Sequence, residues 1–482
     1  MIVIGAGIVG LSVARRLSRY KLNICILEKE PDVAMGATKA NSAIVHGGYA
    51  ESHSKLKGRL CYRGRVQFDK LDRELHFGFR ETGSLVITTD AGDLPKLEAM
   101  LENGKMNGLQ DLEILKGEQV LNLEPNINRS VVYALYCRGA GICSPYEMAI
   151  AMAENAVANG AVLRLNEAVT GVQKKDGIFT VATEKSRVSG RFVINCAGLG
   201  SAEVSAMSGP TSFEIMPRTG EYLLFARGSG RLMNTVVFQM PTKMGKGILV
   251  TPTYHGNLLL GPDAIDETGT YDRSTHVERL AAIYKQALHT TDRININQYI
   301  RSFAGVRAAA TGDDFIIDET QVKGFINVAG IQSPGLTSSP AIADMVTEIL
   351  EQSGLALEGN KAYIPHREPV IGLKQMRPSA EIERLIALPS GDERIVCRCE
   401  QVTEGEIVDC LNRGIHVNTV DGVKRRTRAS MGFCQGNFCR PRIKALMDRE
   451  YGVSVDSSTD VELAGISRVS KKELLDYIKM HG

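Results

Sequence analysis

The sequence predicts an α/β nucleotide-binding domain of Rossmann-like type with an inserted, mostly antiparallel-sheet substrate domain of α+β character. A small helical domain follows at the C-terminus. Three observations carry this reading. A strand, a glycine-rich turn and a helix open the chain over residues 1–17. Two internal segments alternate apolar and polar residues, as half-exposed strands do. Near the C-terminus four cysteines stand in two tight pairs, Cys397-Arg-Cys399 and Cys434-Gln-Gly-Asn-Phe-Cys439, with thirty-four residues between the pairs.

At 482 residues the chain is long for one core and suggests two or three domains. Its 43% hydrophobic and 23% charged residues are ordinary for a globular protein, and a net charge of +2 gives no reason to expect nucleic acid. No apolar run approaches the roughly 20 residues that span a bilayer, so no transmembrane segment is expected. Met1-Ile2-Val3-Ile4 runs straight into Gly5 without a positive leader region, so no secretory signal is expected either. The first strand is short enough to suggest that a few residues normally precede it. Cys25, Cys61, Cys137, Cys143, Cys196 and Cys410 are scattered among apolar neighbours, as inert thiols in a reducing cytoplasm would be. Peripheral membrane contact through a partner stays open.

Gly5-Ala-Gly7-Ile-Val-Gly10 leads into a helix with Leu11, Ala14 and Leu17 on one face and Arg15, Arg16 and Arg19 outside. A strand over residues 23–27 then ends at Glu28, eighteen residues after Gly10. A GxGxxG set between strand and helix, with an acid at that spacing, points to a dinucleotide. The glycines let backbone approach a pyrophosphate at a helix N-terminus. Glu28 accepts bonds from a ribose hydroxyl and repels a 2′-phosphate. The alternative is a glycine turn in a plain βαβ unit. Residues 36–48 are small and polar, unsuited to a core strand and suited to running beneath a bulky cofactor. Residues 191–198 and 325–330 are apolar strands ending in small residues. After the second come Ser333-Pro-Gly335-Leu-Thr337 and a helix over 341–350, whose N-terminus would face the electron-rich end of a flavin.

With these elements in this order, residues 1–355 resemble the D-amino-acid-oxidase-like FAD family, and within it the glycerol-3-phosphate dehydrogenases. The resemblance implies FAD held by Gly5, Gly7, Gly10 and Glu28, by Thr38, Asn41 and Ser42, by Val169 and Gly198, and by Gly330, Gly335, Leu336 and Thr337. It implies FAD-binding segments at 1–75, 146–210 and 301–355, with insertions at 76–145 and 211–300 forming a sheet that roofs the flavin. Strand-like runs such as Gly83-Ser-Leu-Val-Ile-Thr88 and Glu221-Tyr-Leu-Leu-Phe225 fit that roof.

Five polar residues stand out as a substrate site. His46 is suited to accept a hydroxyl proton while hydride leaves carbon, or else is a structural histidine beside the flavin. Arg307 matches an arginine that in the family faces the substrate, and a guanidinium holds a phosphate or carboxylate through two bonds. A surface ion pair is its alternative. Lys243 and Lys246 are candidates for a second positive charge, Lys246 the better by resemblance, with solvated loop lysines the plainer reading. Ser333 resembles a residue near flavin and substrate, or caps the following turn. The related L-2-hydroxyglutarate dehydrogenases carry a histidine in the strand that here reads Gly247-Ile-Leu-Val-Thr-Pro252, and this chain has none there.

Four prolines make 356–394 a linker, with a short helix near 379–387. In the segment 395–445, Thr403 and Glu406 form a capping box for one helix, and Pro441 opens another. Four thiolates suit zinc or an iron–sulfur cluster, although zinc sites favour wider Cys-x2-4-Cys pairs. The run from Cys397 to Cys439 resembles bacterioferritin-associated ferredoxin-like domains. That resemblance implies a [2Fe–2S] cluster on Cys397, Cys399, Cys434 and Cys439. Arg425, Arg426 and Arg428 are read as a solvated face. In the tail 446–482, Ser470 and Glu473 cap an amphipathic helix that docks on the body or on a subunit. Together these readings imply an FAD-dependent enzyme that oxidises sn-glycerol 3-phosphate and passes electrons through the cluster to a second redox subunit or acceptor protein. The alternatives are a 2-hydroxy-acid dehydrogenase and a non-catalytic electron-transfer protein.

Overall fold

Ile2–Ile4 has no polar side chain, and it becomes the fully buried centre of a six-stranded sheet. Cys25–Leu27 and Val193–Asn195 flank it in parallel register, with Ile2 opposite both Cys25 and Val193. Val162–Arg164 and Phe325–Ala329 extend the parallel order, and the antiparallel Ile316–Glu319 closes one edge. These strands come from a computed structural model describing residues 1–240, 247–267, 272–370, 377–452 and 466–481.

The helix Ile8–Leu17 is covered on two sides, by Pro145–Ala158 and by Gly335–Gln352. Double coverage corrects the expectation that Arg15 lies outside. It is 3% exposed, and donates from Nε to Asn155 (3.0 Å) and from Nη2 to Glu74 (2.7 Å). The helix expected over 341–350 begins at Gly335, with Pro340 inside it. Proline removes the bond that Leu336 O would accept from the backbone. The Ser339 hydroxyl donates to that same oxygen at 3.0 Å, so the helix continues.

Among the described residues nine strands form the roof sheet, all paired antiparallel except Ser84–Thr88 with Val236–Gln239. The long Tyr299–Ala310 joins this sheet through Ile215–Phe225, although most of it was assigned to the nucleotide-binding part. The tail helix Lys471–His481 packs on Val277–Ala287, and buries Leu474 completely in the roof's core. It therefore docks on the body.

The C-terminal domain pairs Ile395–Cys397 with Val402–Thr403 and carries three helices, Glu404–Leu411, Val420–Thr427 and Arg440–Tyr451. Its own core includes Val396, Ile407, Val423, Ile443 and Met447. The capping box forms: Thr403 N–H donates to Glu406 at 2.6 Å, and Glu406 N–H to Thr403 Oγ1 at 3.3 Å. The basic run is not a solvated face. Arg425 and Arg426 are 5% and 6% exposed and both reach Asp32 of the nucleotide-binding domain, at 2.7–2.9 Å. Arg428 donates to Glu400 (3.0 Å) and to Asn257 (3.2 Å). An amphipathic run on a short helix looks exposed until a second domain covers it.

Candidate active site

Gly5 sits at φ +101°, and a Cβ there would meet Cys196 O at 2.5 Å; a Cβ on Gly10 would meet Gly5 O at 2.1 Å. Only glycine lets this turn close against the neighbouring strand. The turn delivers the N-terminus of Ile8–Leu17 into a cavity of 1280 Å³. That exceeds the roughly 300–1,000 Å³ of ordinary small-molecule sites, leaving room for a dinucleotide and a substrate.

Glu28 ends the second strand and lines this cavity. Its carboxylate accepts from Ala6 N–H at 2.7 Å and Glu30 N–H at 3.0 Å. Burial pushes its pKa up against those two bonds. Two oxygens carry about four lone pairs, so acceptor capacity remains for a ribose hydroxyl. Thr38 Oγ1 accepts from Ile8 N–H at 3.0 Å and braces the helix entrance. Asn41 knots its loop, donating to Thr38 O at 2.8 Å and accepting from Ala43 N–H at 2.7 Å. Ser42 Oγ lies 3.3 Å from the Tyr222 hydroxyl of the roof.

Thr38, Asn41, Ser42, Val169, Gly198, Gly335 and Leu336 all line the cavity, as do Gly5 and Gly7. Gly10, Gly330 and Thr337 shape it from behind. Gly330 has φ +67°, and a Cβ there would meet Ala310 at 2.7 Å. Thr337 is fully buried; its Oγ1 accepts from His46 N–H (2.9 Å) and donates to Ile44 O (3.3 Å).

His46, Arg307 and Ser333 line the same cavity. The His46 ring stacks on Phe238 with centroids 5.9 Å apart, and its Nε2 lies 3.5 Å from Ser333 Oγ. On Tyr299–Ala310, Arg307 shares a face with Arg301, Phe303 and Gly305 by the two-residue repeat of a strand. Gly220, on the paired strand, leaves space for the guanidinium, since a Cβ there would meet Arg307 Nη2 at 2.6 Å. Arg307 Nη2 donates to Asp263 O at 3.1 Å. Lys243 and Lys246 lie outside the described residues. Sequence reasoning missed Tyr222 and Phe303, whose rings stack at 4.7 Å in the roof over the site. Strand alternation was legible there, but not which face would meet the cavity.

The four C-terminal thiols converge as two adjacent pairs, Cys397 with Cys439 and Cys399 with Cys434. A hydrogen bond from Cys397 holds the Cys439 thiol below its ordinary range, and the Ser430 hydroxyl lies 3.1 Å from its sulfur. Backbone N–H groups of Glu400 and Ser430 face Cys397. Among the described residues no three His, Cys, Asp or Glu side chains converge on one point as around a single ion. Four thiols in two pairs, ringed by N–H and O–H donors to sulfur, fit a two-iron cluster.

Comparison with known proteins agrees with both cofactors. Residues 1–349 match the model of the FAD dependent oxidoreductases, and residues 395–449 that of the BFD-like [2Fe-2S] binding domain. Glycerol 3-phosphate dehydrogenase of Caloramator mitchellensis is 43% identical over 461 residues, 95% of each chain. Mitochondrial L-2-hydroxyglutarate dehydrogenase of Mus musculus is 27% identical over 409 residues, 72% of this chain and 88% of its own. Among solved structures, dithionite reduced L-alpha-glycerophosphate oxidase from Mycoplasma pneumoniae with FAD bound superposes with a TM-score of 0.71 at 28% identity, covering 76% of this chain and 97% of that one. The cofactors are FAD and a [2Fe–2S] cluster. This chain belongs to the FAD dependent oxidoreductase family, and carries a BFD-like [2Fe-2S] binding domain behind its catalytic body.

Proposed function

We propose that the protein oxidises sn-glycerol 3-phosphate to dihydroxyacetone phosphate and hands the electrons on singly to a partner redox protein. The observation that carries this is one cavity joining the glycine turn, His46 and Arg307. His46 accepts the proton of the substrate hydroxyl, held in place through Thr337 and Phe238. Arg307 binds the phosphate; its guanidinium has five N–H donors, so its bonds to the Asp263 carbonyl and the Tyr222 hydroxyl leave others for an anion. Lys246, or Lys243, adds a second positive charge, and Ser333 orients the imidazole. Bound FAD supplies the hydride acceptor, and the cluster on Cys397, Cys399, Cys434 and Cys439 supplies one-electron transfer. None of the ten cysteines forms a disulfide, which suits a reducing compartment.

Anaerobic mixing tests the substrate: glycerol 3-phosphate should bleach the yellow flavin spectrum. If L-2-hydroxyglutarate bleaches it and glycerol 3-phosphate does not, the substrate belongs to the 2-hydroxy acids.

Arg307→Ala should lower kcat/KM for glycerol 3-phosphate by about 10- to 150-fold, the value of roughly 1.5–3 kcal/mol for a hydrogen bond to a charged group. Steady-state kinetics read this directly, and Arg307→Lys should recover part of it. A relay protein without an anion site would transfer electrons equally well in all three forms.

A further inference from the structure

Of thirteen phenylalanines, eleven are buried or half-buried. The other two, Phe433 and Phe438, are 66% and 76% exposed, and each directly precedes a cluster ligand, Cys434 or Cys439. Two exposed rings five residues apart, on the segment that carries two of the ligands, are candidates for an interaction site. Their surroundings are basic. The ligand-bearing segments 394–399 and 429–447 contain five arginines and lysines and no aspartate or glutamate. Arg398 stands between two ligands with its side chain 69% exposed, and pairs with Glu383. Arg442 is exposed three residues beyond Cys439. Lys471 places its ammonium 5.6 Å over the Phe433 ring.

Beside Phe433 a cleft of 1630 Å³ reaches Cys399, with Arg80 and Arg231 exposed along it. The carboxylates lining that cleft are each engaged within the chain: Glu81 by Arg65, Glu147 by His255, Glu400 by Arg428 and Glu406 by Thr403. Six arginines and four carboxylates line that cleft, so its balance of charge is positive, and the Phe433 ring stands at it. Aromatic side chains and arginine around a compact apolar spot are the composition of a protein–protein contact. The sign of the rim selects an acidic partner.

We propose that Phe433 and Phe438, rimmed by Arg398, Arg442 and Lys471, form the docking surface for an acidic one-electron carrier protein. The inference rests on the proposed oxidation, which releases two electrons and two protons per substrate. Two carrier molecules then each take one electron from the cluster, and the protons go to solvent.

The test uses holoenzyme loaded with FAD and cluster, and an acidic flavodoxin as the probe. Anaerobic stopped-flow should show flavodoxin reduction that falls about tenfold or more from low to high salt. The double variant Phe433→Ser/Phe438→Ser should lose about tenfold or more at fixed low salt, with the cluster's visible spectrum, substrate bleaching of FAD and turnover with a neutral dye unchanged. Arg442→Glu should slow flavodoxin and speed a basic cytochrome c. Equal flavodoxin rates in wild type and double variant overturn the proposal. So does a wild type that prefers cytochrome c, or that reduces quinone in phosphatidylcholine vesicles and no flavodoxin. Should glycerol 3-phosphate fail to bleach the flavin, photochemical reduction loads the cluster instead. The docking test then proceeds independently of the substrate.

Discussion

Replacing His46 by alanine is expected to slow flavin reduction by glycerol 3-phosphate about 10²–10⁴-fold, the usual contribution of a positioned general base. The imidazole is placed by three contacts from different parts of the chain. Thr337 holds its backbone N–H, Phe238 stacks on the ring, and Ser333 lies near Nε2. Such fixing is what proton transfer needs, because a base that wanders loses the alignment on which its rate depends. Anaerobic stopped-flow separates this role from a structural one. A base gives a variant that retains FAD, binds substrate with little change and reduces slowly, with the acid limb of its pH profile removed. A structural histidine gives a variant that sheds FAD while its remaining holoenzyme reduces at the normal rate, and that result would exclude proton transfer by His46. Thr337→Val, which keeps the ring but frees its backbone, should fall between wild type and His46→Ala.

The second large effect concerns Asp32. Asp32→Asn should cost about 3–5 kcal/mol, because it leaves two buried guanidiniums facing an uncharged amide. Both partners are almost wholly inaccessible, with side-chain exposures of 3–6%, so solvent screening offers little relief. The pH dependence has a definite sign. Burial alone would raise the Asp32 pKa, but Arg426 and Arg425 outweigh it and hold the carboxyl well below its usual range. A depressed folded-state pKa means that the stabilisation is complete above the unfolded value of about 4 and fades as pH falls below it. Urea unfolding should therefore separate wild type from variant widely at pH 7 and progressively less below about pH 4. An equal midpoint at neutral pH would show that the two domains do not depend on this ion pair. Replacing all three charges together by apolar residues of similar volume should restore much of the loss, since apolar packing often matches a buried ion pair.

The elements legible in the sequence were those whose signals lie within a few residues. Gly5 and Gly10 announce a turn in which no side chain would fit, and Glu28 follows at the spacing a βαβ unit imposes. Thr403 and Glu406 satisfy one helix end between themselves. The cysteine pairs mark a zinc or cluster cage by type and spacing, and the resemblance of the whole run selects the cluster. Errors arose where a distant segment changed a local preference. Arg15 looked external by helical periodicity until Glu74 and Asn155 closed over it.

By itself, then, the sequence determined a nucleotide-binding α/β body, strand-rich insertions and a cysteine-held metal or cluster module, because periodicity, glycine freedom and thiol chemistry are local properties. Tertiary structure alone decided which polar groups meet. It brought Asp32 to Arg425 and Arg426 across almost four hundred residues, His46 to Thr337, and Arg307 into register opposite Arg218 beside the space left by Gly220. Those pairings come from closing the whole chain around its cores, where burial makes a matched charge favourable and an unmatched one costly.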